Sequence, residues 1–317
     1  HAPDGFARFE AMQILYRRIF EQALKKPREL REHSAALSDI MQSILAHDKR
    51  SEAEKALLLE IPALNTLLNT LPDPVNMSAA IAAHDRVVRI LALKMRRDWV
   101  DWLENAPEPA SGKYSIKDAG IRKLRGLAAR TLALFEDEPY RQQLLERHNR
   151  ADNMTTRMNV LHALNRRHDH YREQALATYY DKYRDQPLVI DKWFAVQAQD
   201  HSEGALERIT ALAGHPDFHP DNPNRFRALV STLMQQNPAV FHAEDGSGYR
   251  FAAGQIRRVL LSNPQIAARM LNGYAIVSRM DSERKAQVRA ELETLAAVEN
   301  ISVDVREVLE RLQRGLQ

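Results

Sequence analysis

Histidines and carboxylates close together are the first candidates for chemistry. Three stretches hold them: His168-Asp169-His170, His215-Pro216-Asp217-Phe218-His219 and His242-Ala243-Glu244. A helix-borne zinc site needs two histidines one turn apart with a glutamate beside the first, H-E-x-x-H, because that spacing aims both imidazoles at one point. The motif does not occur. His215 and His219 have the spacing, but Pro216 and Pro220 predict a loop, and no third ligand is evident. His168-Asp169-His170 reads as a solvated stretch between helices. His242-Ala243-Glu244 matches half of the zinc-deaminase signature, whose other half needs two cysteines. The chain has none, which also excludes disulfides, thiolate metal sites and cysteine nucleophiles. G-x-G-x-x-G, G-x-x-x-x-G-K-[ST] and G-x-S-x-G are all missing, and Gly246-Ser247-Gly248 reads as a turn at a helix boundary. Trp99 and Trp102 lie three apart on a predicted helix and read as core or groove residues. Spacing alone predicts a helical scaffold with no catalytic centre and no metal or cofactor of its own.

The elements that must position these residues are helical from end to end. Apolar residues recur three and four apart at Ile14, Leu15, Ile19 and Phe20, at Ile40, Met41, Ile44 and Leu45, and at Leu124, Leu127, Leu132 and Leu134. Val288, Leu292 and Leu295, then Val305, Val308, Leu309 and Leu312, continue the pattern to the end. A long helix is predicted from about Ser78 to Glu104. The best strand candidate, Leu188-Val189-Ile190, is too short to matter. Asn222-Pro223, Asn237-Pro238 and Asn263-Pro264 each place a capping Asn before a Pro at the first helical position, where Pro loses no hydrogen bond. Among 317 residues, 11 Gly and 14 Pro fall short of the roughly 12 % of an average chain. About seventeen helices on short connections predict an all-α, irregular superhelical array of antiparallel pairs, resembling HEAT or armadillo stacking and shaped as a cone or bowl. The whole of 1–317 reads as one helical domain, with Pro107–Gly112 as the only weak seam.

Charge excludes little but argues against polyanion partners. Lys and Arg number 45 against 42 Asp and Glu, a net charge of +3, and the pI is about 9.0. The basic runs, such as Lys94-Met95-Arg96-Arg97 and Arg257-Arg258, are short and scattered, whereas nucleic-acid binding wants them clustered. No apolar run approaches the roughly 20 residues of a membrane span. No nucleic acid and no membrane are expected as partners. No signal-peptide core is seen at the front, and His1-Ala2 reads as a tag remnant or an excised start. Lack of cysteine fits a reducing compartment, and the expected location is cytoplasmic.

Three less ordinary segments carry a resemblance: Asp191-Lys192-Trp193-Phe194, Asn222-Pro223-Asn224-Arg225-Phe226-Arg227 and His242-Ala243-Glu244-Asp245-Gly246-Ser247-Gly248-Tyr249. In this order and at these separations they resemble the C-terminal helical domain of the bacterial aminopeptidase N family of zinc-dependent gluzincins. Asn153-Met154-Thr155, Ser262-Asn263-Pro264-Gln265, Glu299-Asn300 and Phe6-Ala7-Arg8-Phe9-Glu10-Ala11 agree with it. The resemblance covers essentially the whole chain, most densely from residue 186 onward. It implies a parent enzyme whose N-terminal β-domain, thermolysin-like catalytic domain with H-E-x-x-H, and small β-sandwich are absent here. It also implies a metalloprotease that degrades peptides from their N-termini, with zinc bound in an absent domain. The helical domain would cover the active site, admit only small peptides and meet the substrate with polar side chains. The chain alone is expected to be inactive; its expected partners are the catalytic domain of the same polypeptide and short peptides.

That resemblance directs attention to Arg227 and Arg269, with Arg225 and Glu244 beside them, as substrate-channel residues. A peptide's C-terminal side carries a carboxylate, which Arg binds in bidentate fashion. The alternative is that the arginines lie over the core edge or pair with acids such as Asp221 or Glu244. For His242–Tyr249 the alternative is a tight inter-helix turn, with Tyr249 buried and the acids capping the next helix. Asp191 reads as a helix cap, and Trp193 and Phe194 as core. A second functional class stays open: a non-enzymatic HEAT-like scaffold that holds a peptide or protein.

Overall fold

The computed structural model describes residues 4–47, 49–109, 115–135 and 137–317. Among them are 19 helices, 17 of seven residues or more, and no strand. They fall into two compact units: His1–Thr70 with Ala82–Thr178, and Leu71–Ile81 with Tyr179–Gln317. The predicted seam at Pro107–Gly112 falls within the sequence of the first unit, and its Ala110–Gly112 part lies outside the described residues.

In the first unit, the Gly5–Lys25 helix starts where the Asp4 carboxylate accepts the Ala7 N–H at 2.8 Å. Its stripe of Met12, Tyr16, Ile19, Phe20 and Ala23 is buried, and the Tyr16 hydroxyl donates to the Leu58 carbonyl at 3.0 Å. The predicted 78–104 helix is two helices, Met77–Lys94 and Arg96–Asn105, parted at Met95. Met95 and Trp99 are both buried there, at 0 % and 1 % exposure. The Ile116–Leu132 helix packs between Glu52–Leu59 and Met154–Leu164. Glycine permits that approach: a Cβ on Gly120 would stand 2.7 Å from the Ala53 nitrogen.

The second unit is organised by its Asn-Pro starts. Asn222, Asn237 and Asn263 each accept a first-turn N–H through the side chain, and each is followed by Pro at the first helical position. The helix over 223–236 opens after one turn into a wider π-helical turn, Arg227–Ser231, and closes again. Leu188-Val189-Ile190 is helical, within Pro187–Gln197, where Ile190 joins the buried Trp193 and Phe194 and Leu188 is left exposed. Asp191 is therefore inside that helix and not its cap. Ser247–Val259 packs against both Pro264–Leu271 and Ser282–Ala296. Val303–Gly315 packs on Pro264–Leu271 as well, so successive helices bury their stripes on neighbours.

Candidate substrate-contacting site

All four residues singled out in the sequence fall in the second unit. No hydrogen bond or ion pair links any two of them among the described residues. Arg225 is 4 % exposed. Its Nε donates to the Asp191 carboxylate at 2.6 Å and its Nη2 to the Pro187 carbonyl at 3.1 Å. Nη1 donates to the Asp217 carbonyl, and the guanidinium lies over the Phe194 ring at 4.9 Å. Every face of this cation is engaged inside the protein. Arg225 thus ties the start of the 223–236 helix to the Pro187–Gln197 helix, and it is not available to meet a substrate.

Arg227 and Arg269 are placed differently. Arg227 is half-buried, and its guanidinium donates only within its own first turn, to the Pro223 carbonyl at 3.1 Å and to the Asn224 side chain. Arg269 is exposed and has no side-chain hydrogen bond or ion pair among the described residues. The acids proposed as alternative partners are occupied elsewhere. Asp221 accepts from the Ser262 hydroxyl at 2.9 Å, and Glu244 from the Ser78 hydroxyl at 2.7 Å. The 223–236 helix that bears Arg227 meets the 3-10 segment just after the Arg269 helix: the Met234 Cε would stand 2.6 Å from a Cβ on Gly273. Met234 comes two turns after Arg227, and Gly273 one turn after Arg269.

The His242–Tyr249 segment is a tight turn between Pro238–Phe241 and Ser247–Val259. Gly246 takes a left-handed φ of 70°, and a Cβ on Gly248 would stand 2.3 Å from the Val240 carbonyl oxygen. Asp245 accepts the Ser247 N–H at 2.9 Å, and hydrogen bonding first by the Ser247 side chain and then by that N–H holds its carboxyl below the usual range. His242 and Tyr249 share a buried hydrogen bond of 2.8 Å. Burial, reinforced by Arg284, pushes His242 down to about 3, and burial pushes the Tyr249 phenol up. Both groups are neutral at physiological pH, and this pair does structural work.

Glu244 stays exposed at the rim of the turn. Its carbonyl is held by the Gln287 amide at 2.8 Å. Ser78 relays between charges: it donates to Glu244 and accepts from Arg284 Nη2 at 2.8 Å. Arg284 also donates to Asp281 at 2.9 Å and to the His242 carbonyl at 3.2 Å. Sequence reasoning missed Arg284 and Ser78, which lie 206 positions apart, beyond any local spacing signal.

Of the other candidates, His215 sits among the Tyr180, Trp193 and Phe194 rings at 5.3 to 5.7 Å. The Asp169 side chain is not solvated as expected. It is 13 % exposed and paired with the buried Arg141, and it caps the next helix through the Arg172 N–H at 3.0 Å. Trp99 and Trp102 meet edge to face at 6.3 Å. Among the described residues there is no group of three or more His, Asp or Glu that could hold a metal ion. No helix there is long and apolar enough to cross a membrane.

Comparison with known proteins agrees with this architecture. The chain is 37 % identical over 310 residues to aminopeptidase N of Caulobacter vibrioides, covering 96 % of this chain and 35 % of that protein. It is 30 % identical over 312 residues to aminopeptidase N of Escherichia coli, covering 97 % of this chain and 35 % of the relative. The chain thus spans about a third of the length of the curated relatives it matches. In fold it is similar to the Legionella pneumophila aminopeptidase A solved with aspartic acid. There the TM-score is 0.88 at 23 % identity, over 98 % of this chain and 37 % of that one. The family described as "Domain of unknown function (DUF3458_C) ARM repeats" matches residues 1–314, and the chain belongs to that family.

Proposed function

We propose that this chain is the substrate-gating helical part of a zinc-dependent aminopeptidase of the cytoplasm, which removes N-terminal residues from small peptides. The observation that carries this reading is the match over nearly the whole chain to about a third of aminopeptidase N in two bacteria. The sequence of this chain lacks H-E-x-x-H, and on this reading the zinc belongs to a part of the parent polypeptide outside it. This chain's work is then recognition and exclusion. Arg227 and Arg269 meet the carboxylate end of a bound peptide as bidentate donors, a role supported by the lack of any carboxylate pairing with either among the described residues. Glu244, exposed and negative, attracts cationic side chains farther along the peptide. Arg225 is a positioning residue that holds the Arg227 helix through Asp191. Covering the site also keeps bulk water from the reacting atoms.

The test uses the full-length polypeptide that carries this chain. In steady-state assays on a tripeptide with a free C-terminal carboxylate, R227A and R269A each lower kcat/KM by roughly tenfold, as loss of one charge-assisted contact implies. On the same tripeptide as its C-terminal amide, both variants stay within about twofold of the unchanged enzyme. Equal losses on the two substrates would rule out carboxylate recognition. Full activity of a polypeptide lacking this chain would rule out the gating role.

A further inference from the structure

A pocket of about 530 Å³ opens in the first unit and has no part in the reading above. Its walls are apolar, with Ile61, Val88, Leu127 and Leu134 lining it and Leu57 left 42 % exposed. Arg130 and Arg166 line the same pocket, and burial first and then the charge of Arg130 disfavour the charge on Arg166. The nearby acids are already shared. Glu60 pairs with Arg130 at 3.6 Å and with Lys123 at 3.2 Å, and Asp85 pairs with Arg89 at 2.8 Å. The Arg166 side chain makes no hydrogen bond or ion pair among the described residues. Two carboxylates thus face four cations, and the surplus sits against an apolar cavity.

Two histidines lie near these cations, both lowered first by burial. His84 lines the pocket, with its Nε2 committed to the Pro62 carbonyl at 2.9 Å. His162 is pushed down to about 4, first by burial and then by Arg130 and Arg166. Both are neutral at physiological pH, so the positive field comes from the guanidiniums and Lys123, with nothing added by imidazolium.

We infer that this pocket is a binding site for a small amphipathic carboxylate, an aliphatic or arylalkyl acid whose apolar body fills the cavity and whose carboxylate pairs with Arg166 and Arg130. A planar carboxylate matches the guanidinium fork. The surrounding apolar wall rewards a hydrocarbon body and strengthens the charge pair by excluding water. A dianion such as phosphate offers no group for those walls and leaves them wet.

The inference is tested by calorimetric titration of the full-length polypeptide with octanoate, with 1-octanol and inorganic phosphate as controls. Octanoate binds at least tenfold more tightly than octanol. R166M reduces octanoate binding at least tenfold, and L57W, which narrows the mouth without touching a buried charge, also weakens it. R269A leaves it unchanged. In proton-carbon spectra, the His162 titration moves up from about 4 when octanoate is bound, because a buried anion favours the imidazolium. Absence of octanoate binding overturns the inference, as does equal affinity for octanol or tighter binding of phosphate. Loss of binding in R269A with none in R166M also overturns it, and assigns the acid to the proposed peptide channel instead.

Discussion

Two arginines two residues apart show how far placement governs role. Arg225 and Arg227 share a first turn, yet one is sealed against Asp191, two carbonyls and the Phe194 ring, while the other reaches only its own helix start. Removing the Arg225 guanidinium leaves the largely buried Asp191 carboxylate without its cation. R225A therefore costs about 3–5 kcal/mol of unfolding free energy in urea titrations, as for other broken buried pairs. R227A costs less than about 1 kcal/mol by the same measurement, since the Pro223 carbonyl and Asn224 side chain that it leaves turn to water. His242 makes a pH-dependent contribution. Its folded value of about 3 lies below the ordinary 6.5, so the unfolded chain takes up the proton first. Stability from this group is whole above 6.5 and declines as pH falls from 6.5 toward 3, by up to about 1.4 kcal/mol per pH unit. H242Q flattens the pH dependence of the urea midpoint across that window. A slope identical to that of the unchanged protein would show that His242 titrates normally.

Helix starts and close turns set the stability of whole elements. Asn263 contributes one cap bond, to the Ile266 N–H at 3.2 Å, and N263A costs about 1 kcal/mol. Asn237 caps in the same way, but its amide also donates to the buried Ala198 and Asp200 carbonyls at 3.0 and 2.6 Å. N237A costs at least twice as much in the same unfolding experiment, because two buried acceptors lose their donor. The Gly246 and Gly248 pair divides similarly. Alanine at Gly246 meets mainly the unfavourable φ of 70° and costs about 1–2 kcal/mol. Alanine at Gly248 would drive a Cβ into the backbone of Val240 and Phe241. The Ser247–Val259 helix must then shift, at about 3 kcal/mol or more, and a G248A protein as stable as G246A would contradict this packing. The wide turn at Arg227–Ser231 belongs to the same scale: such turns re-aim the residues that begin them, and Arg227 begins this one.

At the scale of the molecule, 45 cations are matched by 42 anions, and many are tied up in local pairs. The chain therefore binds duplex DNA no more tightly as salt is lowered than its small net charge allows, and a steep salt slope in a mobility-shift titration would contradict this. On the proposed function, the isolated chain supplied with zinc releases no amino acid from alanyl chromogenic substrates, because its sequence carries no H-E-x-x-H. What could be read without coordinates was local. The apolar spacing of Ile14, Leu15, Ile19 and Phe20, the three Asn-Pro starts and the missing H-E-x-x-H depend on residues within about one or two turns of each other, although Ile14 itself is left exposed. They determined the helical class, and the less ordinary segments from Asp191 to Tyr249 carried the family. Partnerships across long separations needed the fold. Asp191 looked like a cap until packing brought Arg225, 34 residues away, onto its carboxylate. The 78–104 helix looked continuous until the burial of both Met95 and Trp99 accompanied a break. Nothing in the run around Arg166 marked it as a cation facing an apolar pocket. Helical period and capping are properties of neighbouring residues, whereas charge pairing and cavities arise only when distant helices close against one another.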